Sequence, residues 1–173
     1  MDKESLISAL LGKDLRTIRQ NGVVVNSIHD QTTFDELFNL VFHHERPLVM
    51  RAIDAVEKVT SRRPEFLIAH KSQLLEILNS ADHKELKWHI AQLLPRVDLT
   101  VAELEGVWHK LAYWALSKTE SKIVRVNALQ GLFNLSKLNP ELKNDFEKIT
   151  SAVEHEAIPS IQARIRKLKS TKI

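Results

Sequence analysis

Apolar positions along this chain fall at helical spacing, and the spacing itself recurs. Residues 48–59, 86–97 and 124–135 superpose at a constant offset of 38. Ala52, Ala55, Val56 and Val59 align with Ile90, Leu93, Leu94 and Val97, and these with Ala128, Gly131, Leu132 and Leu135. Each set is spaced i, i+3, i+4, i+7, which is one face of an α-helix. A second set recurs at an offset of 37: Leu37, Leu40 and Val41 map to Leu74, Ile77 and Leu78, then to Leu111, Trp114 and Ala115. Helices repeating with a period of roughly 20 to 50 residues cannot bury their apolar faces alone, and so stack on their neighbours.

The two sets define four helical hairpins. The pattern predicts helices over 33–44 and 47–60, 64–79 and 83–94, 100–117 and 121–138, and 140–154 and 159–169. The repeats therefore span 33–60, 64–94, 100–138 and 140–169. The last is degenerate, because Ile161 and Ile165 keep the period only with a one-residue shift, as a terminal repeat does. Residues 1–32 form an N-terminal cap of two or three short helices, broken at Gly12 and at Asn21-Gly22. A basic tail, 170–173, completes what reads as one structural domain.

Start signals support these boundaries. Pro47, Pro64, Pro140 and Pro159 each precede an apolar helical pattern, where a missing N–H costs nothing. Thr33 with Glu36, Asp82 with Glu85, and Thr100 with Glu103 have capping-box spacing. Pro95 is a local departure, since its counterparts Glu57 and Phe133 lie inside helices. A proline there costs about 3 kcal/mol if the helix continues straight, which predicts a stop or kink near Leu94.

Helix pairs of this length, with second helices such as Ile123-Val-Arg-Val-Asn-Ala-Leu-Gln-Gly-Leu, resemble HEAT repeats of the armadillo-type α-solenoid class. The resemblance covers roughly residues 33–169. The stretch Leu86-Lys-Trp-His-Ile-Ala-Gln-Leu-Leu-Pro-Arg-Val is similar to small bacterial HEAT-repeat proteins. It implies an all-α, right-handed α-α superhelix. HEAT proteins include transport factors, phosphatase scaffolds, condensin subunits and a few enzymes, so the resemblance leaves the activity open.

The second helices are apolar on two sides, as helices sandwiched between neighbours must be. Met50 and Ile53, Trp88 and Ala91, and Val126, Leu129 and Phe133 form the second stripe. One polar strip remains on each helix: Arg51, Asp54 and Lys58; His89, Gln92 and Arg96; Asn127, Gln130 and Asn134. Second helices line the concave surface of a solenoid, so these nine residues are expected to form a ladder there that changes from charged to amide. The expected partner is a protein or peptide, and the expected role a non-enzymatic binding or scaffold module. Trp88, Phe133, Trp108 and Trp114 are expected in the core, with Tyr113 pointing outward.

Composition narrows the chemistry. Cysteine is absent, which excludes disulfides, thiolate zinc sites, iron–sulfur clusters and a cysteine nucleophile. None of the eight histidines forms the i, i+3 or i, i+4 pair that a helical metal site uses, so no metal and no cofactor are expected. Phosphate-cradling and nucleophile-elbow motifs are absent, and the glycines are scattered at 12, 22, 106 and 131. A small-molecule substrate is therefore not expected.

The net charge of +3 is concentrated at the C-terminal end, where Arg164, Arg166, Lys167, Lys169 and Lys172 stand with no acid among them. Such a cluster either meets an anionic partner or faces the helix dipole and solubilises a terminal cap. A competing reading is a nucleic-acid-binding protein, including a DNA-glycosylase-like enzyme of the HEAT-like class using Asp54 beside Arg51, Lys58 and Arg96. The loss of charge toward Asn127, Gln130 and Asn134 counts against it, because a phosphate track needs Lys and Arg along its length. No secretory signal and no apolar run of membrane-spanning length is present, so the expected compartment is the cytoplasm, with no membrane partner.

Overall fold

A computed structural model describes residues 2–12 and 17–171, and among them every regular element is helical. The α-helices are α1 (Lys3–Leu11), α2 (Thr17–Ser27), α3 (Gln31–Asn39), α4 (Arg46–Thr60), α5 (Lys71–Ser80), α6 (Lys84–Leu93), α7 (Val101–Leu116), α8 (Lys122–Leu138), α9 (Lys143–Glu154) and α10 (Pro159–Ser170). Short 3-10 segments cover Leu40–Phe42, Pro64–His70, Leu94–Arg96 and Pro140–Leu142. The Cα framework divides into two compact units, residues 1–70 and 71–173.

In the first unit α1, α2 and α3 all pack on α4, which buries Leu48, Ala52, Ile53, Ala55, Val56 and Val59. Two expectations change here. Asn21-Gly22 does not break the chain but lies inside α2; a helix held by neighbours tolerates the roughly 1 kcal/mol that glycine costs. The cap of α3 is Asp30, whose carboxylate accepts from the Thr33 N–H at 2.8 Å. Thr33 is buried in the first turn and is not the cap, so the Thr33–Glu36 box does not form. The segment after Pro64 is a 3-10 helix with Phe66, Leu67 and His70 facing inward; its tighter turn brings residues 67 and 70 onto one edge. His70 stacks on Phe38 with ring centroids 4.1 Å apart, and its Nε2–H donates to Asp35 at 2.7 Å.

The second unit has two layers. The first helices α5, α7 and α9 pack in series, as do the second helices α6, α8 and α10, and each pair closes as a hairpin. Ile90, Leu93, Leu94 and Val97, and Ala128, Gly131, Leu132 and Leu135, are all buried, as the repeated spacing predicts. Trp108, Trp114 and Phe133 are also buried, while Tyr113 is 61% exposed. Trp88 is half-buried.

Gly131 has a steric reason: a Cβ there would clash with the Ala91 carbonyl of α6. The α6 helix stops at Leu93, and Pro95 sits in the 3-10 turn that follows. The Thr100–Glu103 capping box forms, with the Thr100 N–H donating to Glu103 at 2.7 Å and the Glu103 N–H to Thr100 at 3.3 Å. The Asp82–Glu85 box does not form, because the cap position of α6 falls one residue later, on His83.

Candidate binding face

The strip on α8 is the line of that helix left open after packing. Asn127, Gln130 and Asn134 are half-buried, and Ala128, Leu129, Gly131, Leu132 and Phe133 between them are buried. The amides are ordered by bonds along the helix: Asn127 donates to the Ile123 carbonyl at 2.8 Å, and Gln130 donates to the Asn134 side chain at 3.0 Å. Arg164 of α10 then donates to Gln130 Oε1 at 2.6 Å. This bond joins the C-terminal basic cluster to the strip, which the sequence pattern treats as separate features. Arg166 and Lys167 are exposed, and Lys169 is held by Glu154 at 2.7 Å. Lys172 lies outside the described residues.

On α6 the strip is shorter than predicted. His89 is 2% exposed; its ring stacks on Trp88 with centroids 3.4 Å apart, and its Nδ1–H donates to the Glu85 carbonyl at 2.7 Å. It belongs to the interior, leaving Gln92 and Arg96, both half-buried, as the accessible strip residues of this repeat. In the first unit Arg51 donates to the Leu10 carbonyl at the end of α1. Asp54 is paired with Lys58 at 2.6 Å, so the carboxylate that a glycosylase-like reading would use is already engaged by a cation.

Two further features bear on binding. Phe133, Phe146 and Leu168 floor a groove of about 530 Å³ between α8, α9 and α10, with Lys143, Glu147, Ser151 and Lys169 among its other lining residues. His43, His44 and Glu45 present ligand atoms within 4.8 Å of one another. The helical spacing rule does not reach this trio, because its residues lie in the non-helical link before α4. His43 Nδ1 already accepts the Glu45 N–H at 3.1 Å, a bond that a metal on that nitrogen would displace.

The electrostatics of the second unit are set by anchored carboxylates. Hydrogen bonds from Arg125 hold Glu156 below its usual pKa against the opposing effect of burial. Arg125 is 2% exposed and grips Glu156 with two bonds of 2.8 Å. Its Nε donates to the Ala115 carbonyl at 2.9 Å. Lys71 and the Thr100 N–H likewise lower Glu103, and Lys169 lowers Glu154.

The sequence profile of the HEAT repeat domain matches residues 7–172. The chain belongs to the HEAT repeat family. No curated protein and no solved structure matches it. Membership accounts for the all-helical hairpins and their 37–38 residue period as an α-solenoid sequence. HEAT repeat proteins of this kind are typically scaffolds or protein-interaction modules. No helix among the described residues is long and apolar enough to cross a membrane.

Within the HEAT repeats, residue-type reasoning misses Arg125 and Lys87. Both read as surface cations, yet they occupy equivalent positions in successive second helices and point to glutamates in the following turns. Lys87 reaches Glu120 at 2.5 Å. The available signal was the recurrence of a base at an offset of 38, each with a glutamate 31 to 33 residues further on.

Proposed function

We propose that this HEAT repeat chain is a non-enzymatic docking module that binds a protein or peptide segment along the accessible strip of its second helices. The observation that carries the reading is the bonded run Arg164, Gln130 and Asn134 across α10 and α8. Apolar positions flanking this run are consumed by packing, so what remains open is a line of donors and acceptors at regular spacing, suited to an extended chain. Gln92 and Arg96 extend the line on the neighbouring repeat. Arg51, Asp54 and Lys58 are its counterparts in the first unit.

A random peptide display library panned against the intact chain tests this. Selected peptides are expected to lose at least about tenfold in affinity to a variant carrying Asn127→Glu, Gln130→Glu and Asn134→Glu, with the circular dichroism spectrum unchanged. Selected peptides that all bind the variant undiminished would reject the strip.

A further inference from the structure

In the first unit the C-terminal ends of α2 and α4 meet around a pocket of about 240 Å³. Val25, Ile28 and Val59 give it an apolar wall, and Asn26, His29, Arg62 and Arg63 complete the lining. Every titratable residue of that lining is basic. Asp30 and Glu65, the acids that adjoin it in sequence, do not line it, and the Asp30 carboxylate is taken by the Thr33 N–H and hydroxyl at 2.8 and 3.2 Å. Cations gathered round one cavity with no acid among them raise the local concentration of anions.

Basic residues that follow a helix commonly serve its last carbonyls, but in α4 other groups do so. The Val56 carbonyl accepts from the Thr60 hydroxyl at 2.8 Å, and that of Lys58 from the Ser61 hydroxyl at 2.7 Å. Glu57 accepts the Ser61 N–H at 3.0 Å, and Val59 accepts the backbone N–H groups of Arg62 and Arg63 at 3.1 Å. These carbonyls are met without either guanidinium. Arg62 is exposed and has no carboxylate partner among the described residues. Arg63 is held in place, since its Nη1 donates to the His29 carbonyl at 2.5 Å and its guanidinium lies 5.4 Å from the centre of the Phe66 ring. His29 lines the pocket, so the Arg63 guanidinium stands beside it with further N–H groups to offer.

We propose that this pocket binds a phosphate group, free or as a monoester. Arg62 and Arg63 supply charged forks, His29 an imidazole N–H and Asn26 an amide. A phosphate monoester carries about −1.5 to −2 charge at neutral pH and three acceptor oxygens, which point in different directions and suit donors arriving from α2, from the link after it and from the end of α4. A carboxylate has one charge and two oxygens in one plane, which a single guanidinium fork satisfies, so it uses less of the site. The pocket contains none of the strip residues, and the proposal stands independently of the docking reading.

An NMR titration of the isotope-labelled intact chain at constant ionic strength tests this with sodium phosphate, O-phosphoserine, serine and sodium acetate. Phosphate and O-phosphoserine are expected to move the backbone signals of Asn26, His29, Arg62 and Arg63 and the arginine Nε–H signals most, and to saturate. Tighter binding of O-phosphoserine identifies an ester as the ligand, and tighter binding of phosphate the free ion. Acetate and serine are expected to bind at least about tenfold more weakly. Arg62→Ala removes an exposed fork, and Asn26→Trp fills the pocket from an exposed position on α2. Each is expected to weaken both phosphate ligands at least about tenfold, while Arg166→Ala on α10 leaves them unchanged.

No saturable shift with either phosphate ligand overturns the inference, as does acetate binding as tightly as phosphate. Shifts that are largest at Arg166 and Lys167 overturn it too, because they mark diffuse attraction to exposed cations. Undiminished binding in Arg62→Ala or in Asn26→Trp, with an unchanged melting curve, has the same force. If one variant melts earlier than the parent chain, the other decides.

Discussion

Lys87 and Arg125 hold the same place in successive second helices, 38 residues apart, and each reaches a glutamate in the turn that opens the next second helix. Lys87 meets Glu120 ahead of α8, and Arg125 meets Glu156 ahead of α10. Both also touch the end of α7: the Lys87 ammonium lies 5.9 Å from the Trp114 ring centre, and Arg125 bonds the adjacent Ala115 carbonyl. Each cation therefore fastens one repeat to the turn of the next. Coupling between nearest neighbours is the term on which the stability of a repeat array depends.

Removing Glu156 is expected to be costly because the Arg125 charge stays behind, buried. Glu156→Ala is expected to destabilise by about 3 kcal/mol, and Arg125→Met combined with Glu156→Ala by less than the sum of the single changes. Lys87→Met is expected to cost about 1 kcal/mol, since the group it leaves behind, Glu120, is less deeply buried than Arg125. Chemical denaturation of the four variants gives these values directly.

Acid should weaken the fold, and the sign follows from the direction of the shifts. Glu156 is lowered by hydrogen bonds from Arg125, Glu103 by those from Lys71 and Thr100, Glu154 by Lys169, and Asp30 by the Thr33 N–H. A lowered carboxylate binds fewer protons folded than unfolded, so its contribution is complete above its unfolded pKa and is lost as pH falls through the folded one. The urea midpoint is expected to fall between roughly pH 5 and pH 2. Glu156→Gln should flatten that decline, and an unchanged slope would show that the Arg125 pair does not govern it.

Two glycines inside helices are expected to respond in opposite directions. At Gly106, exposed on α7, an added methyl meets nothing within 4 Å, so Gly106→Ala should stabilise by up to about 1 kcal/mol. At Gly131 the same methyl runs into the Ala91 carbonyl and presses on Leu111. Gly131→Ala is expected to lose about 1 to 3 kcal/mol despite alanine's better helix propensity. Thermal melts of the two variants, shifted up and down respectively, check the pair.

These residues also explain how far the sequence could be read. Gly131 falls at a repeated apolar position, so its burial was legible, but its contact with a backbone carbonyl depends on how closely two helices approach. His89 occupies a polar place in the pattern, yet its ring is turned onto Trp88 and its Nδ1 proton is taken by the helix backbone; periodicity assigns a face, not a side-chain rotamer. Arg164 was legible only as part of a basic cluster. Its bond to Gln130 spans two repeats, and a pattern read along one helix does not register which side chains meet across a groove. Start signals failed in the same way at Thr33 and Asp82, where neighbouring residues Asp30 and His83 took the cap positions once tertiary packing fixed the helix ends.

Gly131 also decides where the second unit can bend. Backbone meets backbone at Ala91, so α6 and α8 have no side-chain cushion on which to slide, and that joint is stiff. The joint between α8 and α10 is made of side chains, Arg164 on Gln130 and Leu168 facing Phe133 across the groove. In mechanical terms the unit is a spring with one locked coil and one compliant coil. Any flexing of the second unit is therefore expected at the α8–α10 joint, with α6 and α8 travelling together.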